Sequence, residues 1–319
     1  MSVDVADLVA RAREGQPRAV ARLISYVEDG APVMREVTQA LASHTGRARI
    51  IGLTGAPGVG KSTTTSAIVG EYRSRGKRVG VLAIDPSSPF SGGALLGDRV
   101  RMQEHATDEG VFIRSMASRG HLGGLSWATP QAIRVLDAAG FDLILVETVG
   151  VGQSEVEVAG AADTTLVLLA PGMGDGIQAA KAGILEIGDV FVVNKADRDG
   201  ADATARELRH MLSLGSGPRS GRGESRWTPP VLKAVASRGE GITEIVDAID
   251  DHGVWLTETG ELRQRRLARA AAEIEVITVG LLRSRVGALA GLDHLAESVV
   301  DGELDPYAAA DSLVADLTR

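Results

Sequence analysis

The spacing of apolar positions changes twice along the chain and divides it into stretches. Over residues 1–46 it is helical: Val5, Leu8, Val9 and Ala12 share a face, as do Ala21, Leu23, Ile24 and Val27. Gly15 with Pro17, and Gly30 with Pro32, break this stretch into about three short helices. It reads as a packing extension of a core or as a surface for a partner. From residue 49 to 250, short apolar runs alternate with helix-like runs. The strands expected are 49–53, 79–84, 111–116, 142–147, 164–170, 190–194 and 231–236. Several are unbroken β-branched runs, as parallel strands covered on both faces require. Such alternation predicts an α/β fold, a doubly wound, mostly parallel sheet with right-handed crossovers and any ligand at the C-terminal edge of its strands. Residues 215–227, rich in Gly, Ser and Arg, read as a mobile surface loop. Helical spacing returns over 253–319, where Ile274, Ile277, Leu281 and Leu282 make an apolar stripe with Arg283 and Arg285 beyond it. Gly287, Gly291 and Gly302 suggest breaks before a last helix ending at Leu317. The stripe either packs on the chain's own sheet or pairs with a second copy, and the second reading is preferred. The expected division is a helical extension at 1–46, a sheet domain at 47–252 and a helical dimerisation region at 253–319.

At 319 residues the chain can bury a large α/β core. Aromatic residues make up only 3%, so that core rests on Val, Ile, Leu and Ala. A net charge of −8 argues against nucleic acid as the main partner. The absence of cysteine excludes disulfides and thiolate metal sites and fits a reducing compartment. Residues 1–11 hold Asp4 and Asp7 and no long apolar run. Neither a signal peptide nor a membrane span is expected, and the cytoplasm is the default location.

The candidate chemistry begins at Gly55-Ala56-Pro57-Gly58-Val59-Gly60-Lys61-Ser62, with Thr63 next. The run follows an apolar strand and opens a helix, the strand–loop–helix setting of a P-loop. Its glycines let successive backbone N–H groups turn inward around phosphate oxygens, and the helix adds its positive end. Lys61 can reach the β- and γ-phosphates, and the Ser62 hydroxyl can bind Mg²⁺. Asn194-Lys195-Ala196-Asp197 closes the strand at 190–194. The Asp197 carboxylate can accept from guanine N1–H and the N2 amino group, and adenine offers neither donor on that edge. Asn194 can bond the purine and brace the loop, and the Lys195 stem can cover the base. Ala236-Ser237, after the last strand, fits a backbone contact to the guanine oxygen.

In Glu147-Thr148-Val149-Gly150, Glu147 can hold a water on Mg²⁺ and the Gly150 N–H can sense a γ-phosphate; the plainer alternative is a solvated strand end. In many GTPases the first position is Asp and a Gln follows the glycine. Here they are Glu147 and Val151, with Gln153 two residues on, so the water-positioning Gln is missing from its usual place. Asp85, at the tip of the second strand, and Asp98, in a Gly-rich run, can serve Mg²⁺ or its water shell, while Asp98 can equally cap the helix after it. Gln178 and Lys181 lie in the Gly-rich run after residue 170. Lys181 can reach the transferred phosphoryl charge, pair with an acid of a partner, or stay solvated.

Together these motifs resemble the MeaB/ArgK/MMAA family of P-loop GTPases, the accessory GTPases of methylmalonyl-CoA mutase. The resemblance runs over most of the chain and rests on residues 54–64, 84–88, 97–102, 119–124, 147–155, 171–181 and 194–197. The run from Glu147 to Glu155 is its most specific part. It implies a P-loop NTPase fold and a GTPase with GTP or GDP as ligand and Mg²⁺ as cofactor. The missing Gln adds that hydrolysis is slow until a partner stimulates it. The implied partner is an adenosylcobalamin-dependent mutase, usually methylmalonyl-CoA mutase, with isobutyryl-CoA mutase as an alternative. The GTPase would gate cobalamin loading and protect or reactivate that enzyme. The resemblance further implies a homodimer through the C-terminal helices and mobile segments at 85–101, 147–159 and 170–181. On this reading Lys61, Asp85, Glu147, Gln178 and Lys181 carry the catalysis, and Ser62, Asp85, Asp98 and Glu147 serve the metal. A metal-insertion GTPase of the same wider group is the rival. It usually needs a Cys or His cluster, and here the six His residues are scattered.

Overall fold

The computed structural model describes residues 4–85, 102–117, 128–148, 154–172, 184–215, 226–287 and 291–317. Its strands are β1 (Arg49–Gly55), β2 (Val79–Asp85), β3 (Val111–Ala117), β4 (Leu143–Thr148), β5 (Thr164–Leu169), β6 (Val190–Val193) and β7 (Val231–Lys233). They form one sheet in the order β3-β2-β4-β1-β5-β6-β7, and every named pairing is parallel. Before β1 lie α1 (Val5–Arg13), α2 (Pro17–Glu28) and α3 (Met34–Leu41). Within the alternating region lie α4 (Lys61–Ser74), α5 (Thr129–Ala138), α6 (Ser154–Ala161), α7 (Ile184–Ile187), α8 (Ala201–Gly215) and α9 (Ile242–Glu258). The last helices are α10 (Glu261–Gly287), α11 (Leu292–Val300) and α12 (Pro306–Leu317).

Strand parity explains the layers, because successive side chains point to opposite faces. Leu143 and Leu145 of β4, with Ile51 and Leu53 of β1, pack against Ile68 and Tyr72 of α4 and Ile245 and Ile249 of α9. The alternate residues Ile144 and Val146 face the other way. They join Leu136 of α5 and Val158 of α6. Leu23 and Ile24 of α2 and Val37 of α3 belong to that same cluster. The N-terminal helices are therefore an extension of the core. Two polar anchors hold them. Asp137 of α5 accepts from the N–H groups of Gly46 (2.5 Å), Arg47 (3.2 Å) and Ala48 (2.9 Å). Arg114 of β3 donates to Glu28 at 3.1 Å and to Ser25 at 3.1 Å.

The departures from expectation lie at element ends. β7 stops at Lys233, because Ala236–Arg238 closes into a 3₁₀ turn. Trp227 is no part of a surface loop. Its indole N–H donates to the Asp189 carbonyl at 2.8 Å, and its ring sits 4.8 Å from the buried His252 and 5.9 Å from Trp255. Gly215 ends α8, Arg226 is exposed, and residues 216–225 of that expected loop lie outside the described residues. The expected boundary at 252/253 falls inside α9. The chain divides instead into two compact units, Met1–Leu262 and Arg263–Arg319. In the second, the stripe residues Ile274, Ile277, Leu281 and Leu282 are all exposed. No helix among the described residues is long and apolar enough to cross a membrane.

Candidate functional site

Strands β1, β4 and β6 bring their C-terminal ends together beside the start of α4. β1 ends at Gly55, whose φ is +145° and where a Cβ would press on the Leu168 carbonyl of the neighbouring β5. The loop closes at Gly60, which caps α4 with a left-handed φ of +97°. A Cβ there would stand 2.5 Å from the amide nitrogen of Asn194. These two positions need glycine for space as well as for conformation. Val59 is buried and pins the loop to the core. The Lys61 ammonium donates to the carbonyls of Gly55 (2.7 Å) and Ala56 (3.1 Å). Thr63 is exposed at the helix start.

Glu147 lies on the face of β4 that meets α4 and is only 1% exposed. Ser62 donates to its Oε1 at 2.7 Å and Thr65 donates to its Oε2 at 2.8 Å. Glu147 is thus no solvated strand end. Burial of a carboxylate requires such donors.

Asn194 is buried and joins separate segments. Its amide donates to the Val59 carbonyl at 2.9 Å and to Thr64 Oγ1 at 3.4 Å, and its Oδ1 accepts from the Ala236 N–H at 3.1 Å. Lys195 holds a left-handed φ of +56° and donates to the Gly58 carbonyl at 2.6 Å. Asp197 pairs with Arg238 at 3.4 Å. It lines an open cleft of about 250 Å³ together with Ala196, Lys233, Ala234, Val235 and Glu240. In the turn after β7, Ala236 is buried and Ser237 is exposed.

The fold therefore gathers Gly55 to Ser62, Glu147, Asn194, Lys195, Asp197, Ala236 and Ser237 at one sheet edge. A helix N-terminus, an ammonium group and a loop of peptide groups at one point suit a polyphosphate. Asp85 ends β2 beside Ala117, and only its backbone is described. Asp98, Gly150, Gln178 and Lys181 lie outside the described residues. Two participants escaped the reading of the sequence. Thr65 is one helical turn past Ser62, a spacing that was available as a signal. Arg238 carries no motif and meets Asp197 only because of the turn.

Comparisons with known proteins agree with this geometry. The family model described as "Methylmalonyl Co-A mutase-associated GTPase MeaB" matches residues 20–290. A protein of Pyrococcus abyssi bearing a GTPase name is 48% identical over 314 residues, 98% of this chain and 96% of that one. GTPase ArgK of Escherichia coli is 39% identical over 266 residues, 82% of this chain and 80% of its own length. The mitochondrial methylmalonic aciduria type A homolog of Mus musculus is 41% identical over 216 residues, 68% of this chain and 52% of its own length. A crystal structure of a LAO/AO transport system kinase covers 100% of both chains with a TM-score of 0.72 and 29% identity. The likenesses span the sheet, the loop at its edge and the helices around them, and the chain belongs to the MeaB family of GTPases.

Proposed function

We propose that this GTPase binds GTP with Mg²⁺ at the C-terminal edge of the sheet, hydrolyses it slowly alone, and uses the nucleotide state to act on an adenosylcobalamin-dependent mutase, in the first place methylmalonyl-CoA mutase. The observation that carries the nucleotide half is the carboxamide of Asn194. It fastens Val59, in the phosphate loop, to Ala236, in the turn beside Asp197. Phosphates and base would so be read by one rigid unit. The mutase half is supported by the family's description and by the name of the mouse relative.

Several groups would exchange partners on binding. Lys61 would give up the carbonyls of Gly55 and Ala56 for phosphate oxygens, a stronger charge-assisted bond. Asp197 would give up Arg238 for the guanine edge, since both present adjacent N–H donors. The Lys195 stem would cover the base. The Ala236 N–H is committed to Asn194, which leaves Ser237 to meet the guanine oxygen. Gly150 would sense the γ-phosphate.

The oxygen donors at Ser62 and Glu147 fit Mg²⁺, a hard cation. Ser62 donates its proton to Glu147, so its lone pairs remain for a metal. Ser62 would hold the ion, and Glu147, Asp85 or Asp98 its waters. Mg²⁺, when bound, offsets charge on the β- and γ-phosphate oxygens.

With Gln absent beside Gly150, the mutase would supply order to 170–181 and bring Lys181 or Gln178 to the transferring phosphoryl. A positive group there is worth about 10³–10⁵ in rate. The test is GTP hydrolysis across a titration with methylmalonyl-CoA mutase, with complex formation measured separately. Wild type should be stimulated, and Lys181→Ala should keep its basal rate, bind the mutase and lose most of the stimulation. No complex and no stimulation would remove the mutase half. Full stimulation of a bound Lys181→Ala would eliminate Lys181 as the activator.

A further inference from the structure

We propose that Thr65 is a positioning residue for Glu147 and, through it, for the metal-facing hydroxyl of Ser62; the inference rests on the reading of Ser62 as a Mg²⁺ ligand. Ser62 and Thr65 stand three residues apart on α4, so they occupy one face a single turn apart. That face meets β4, where Glu147 is 1% exposed. The two hydroxyls take opposite oxygens of the same carboxylate, Oε1 at 2.7 Å and Oε2 at 2.8 Å.

A threonine inside a helix commonly turns its hydroxyl back to the carbonyl four residues earlier. Here the Lys61 carbonyl lies at 3.1 Å. A hydroxyl has one proton, and the charged acceptor is the nearer and the stronger. The Thr65 proton therefore goes to Glu147.

The consequence follows from the last torsion of the glutamate. Rotation of a carboxylate about its terminal bond is broad and roughly two-fold. Ser62 grips one oxygen. Thr65 grips the other and fixes the plane. Oε1 is then held as the acceptor for Ser62, the serine proton stays turned toward Glu147, and the lone pairs stay turned to the cation. Thr65→Val keeps shape and removes the second grip. The acceptor for the Ser62 proton is then held less tightly in place. Partners bonded directly to a metal ligand change metal affinity by about 10–100-fold when removed, and Thr65, one bond further out, belongs at the low end of that range.

The experiment reads release of a fluorescent GDP analogue against Mg²⁺ concentration, with EDTA as the metal-free reference. Thr65→Val should need about 10-fold more Mg²⁺ to slow release, match wild type in EDTA, and stay folded by circular dichroism, with a moderate loss of thermal stability from the donor withdrawn from a buried carboxylate. Thr65→Ser, which restores the hydroxyl, should return the Mg²⁺ dependence to wild type. An unchanged Mg²⁺ dependence in Thr65→Val would overturn the proposal. So would a uniform loss of nucleotide binding, in EDTA as well, that Thr65→Ser does not rescue. Ser62→Ala separates the two layers. If it shifts the Mg²⁺ dependence and Thr65→Val does not, the metal reading stands and the role of Thr65 falls. If neither shifts it, the metal reading fails and takes the proposal with it.

Discussion

Asp197 and Arg238 form an exposed pair across the turn after β7, which salt and water weaken. Guanine should displace the arginine readily, because its edge offers the same paired donors without the solvation of a free cation. Asp197→Asn should weaken GTP binding by about 2–4 kcal/mol and favour xanthosine nucleotides, whose extra carbonyl needs a donor. A calorimetric titration with both nucleotides checks this, and unchanged GTP affinity would refute the assignment. Asp197 and Asn194 were legible in the sequence because each completes a short motif at a strand end, where topology leaves little freedom. Thr65 and Arg238 were not. A threonine inside a helix and an arginine in a turn are ordinary residues, and only the register of α4 on β4, or the closure of a 3₁₀ turn, gives them partners. The commitment of the Ala236 N–H to Asn194 was hidden for the same reason.

At the scale of elements, the loop before α4 is set by its glycines, and two of them separate backbone from packing. Gly58 and Gly60 both have positive φ, at +80° and +97°. A Cβ at Gly58 meets open space, and one at Gly60 meets the Asn194 amide. Gly58→Ala should therefore lose only the conformational cost of about 1–2 kcal/mol. Gly60→Ala should lose more, since Asn194 must also release Val59 and Ala236. Urea unfolding of the two variants measures the difference, and equal losses would show that the Asn194 joint bears no strain. The N-terminal helices offer a second comparison. Asp137→Ala leaves the Ala48 N–H buried without its carboxylate and should cost about 1–3 kcal/mol in the same assay. A loss under a few tenths would mean that apolar packing alone holds the segment. Strand positions were readable because each apolar run begins just after a polar turn. Six of them begin at the residue expected, and β4 begins one later. The fate of Trp227 was unreadable, because its partners Asp189 and His252 lie 38 and 25 residues away in sequence and meet it only in the folded sheet.

For the whole molecule, the unanswered demand is apolar surface. In the unit Arg263–Arg319, α10 presents Leu267, Ile274, Ile277 and Leu281 at exposures of 57%, 65%, 48% and 54%. Their numbers step by seven, three and four, the spacing of a coiled-coil seam, with Ala270 filling the missing position. A helix of 27 residues is about 40 Å long, enough for several turns of contact. Isolated exposed leucines need no explanation, but a row of them at heptad spacing marks an interaction site. We propose a second copy of the chain as the partner, because a two-fold axis would set each stripe against its equivalent. Ala271, Thr278 and Gly280 are uncharged flanking positions, so burial of the aliphatic side chains supplies most of the association. Such a dimer should persist in high salt, where ion pairs are screened. Ile277→Glu and Leu281→Glu each place a charge in the centre of the seam and should give monomers by light scattering, with nucleotide affinity unchanged because the site lies on β1, β4 and β6. A dimer unaffected by both substitutions would move the interface to another surface, and a wild-type chain that is monomeric at micromolar concentration would remove the self-association altogether.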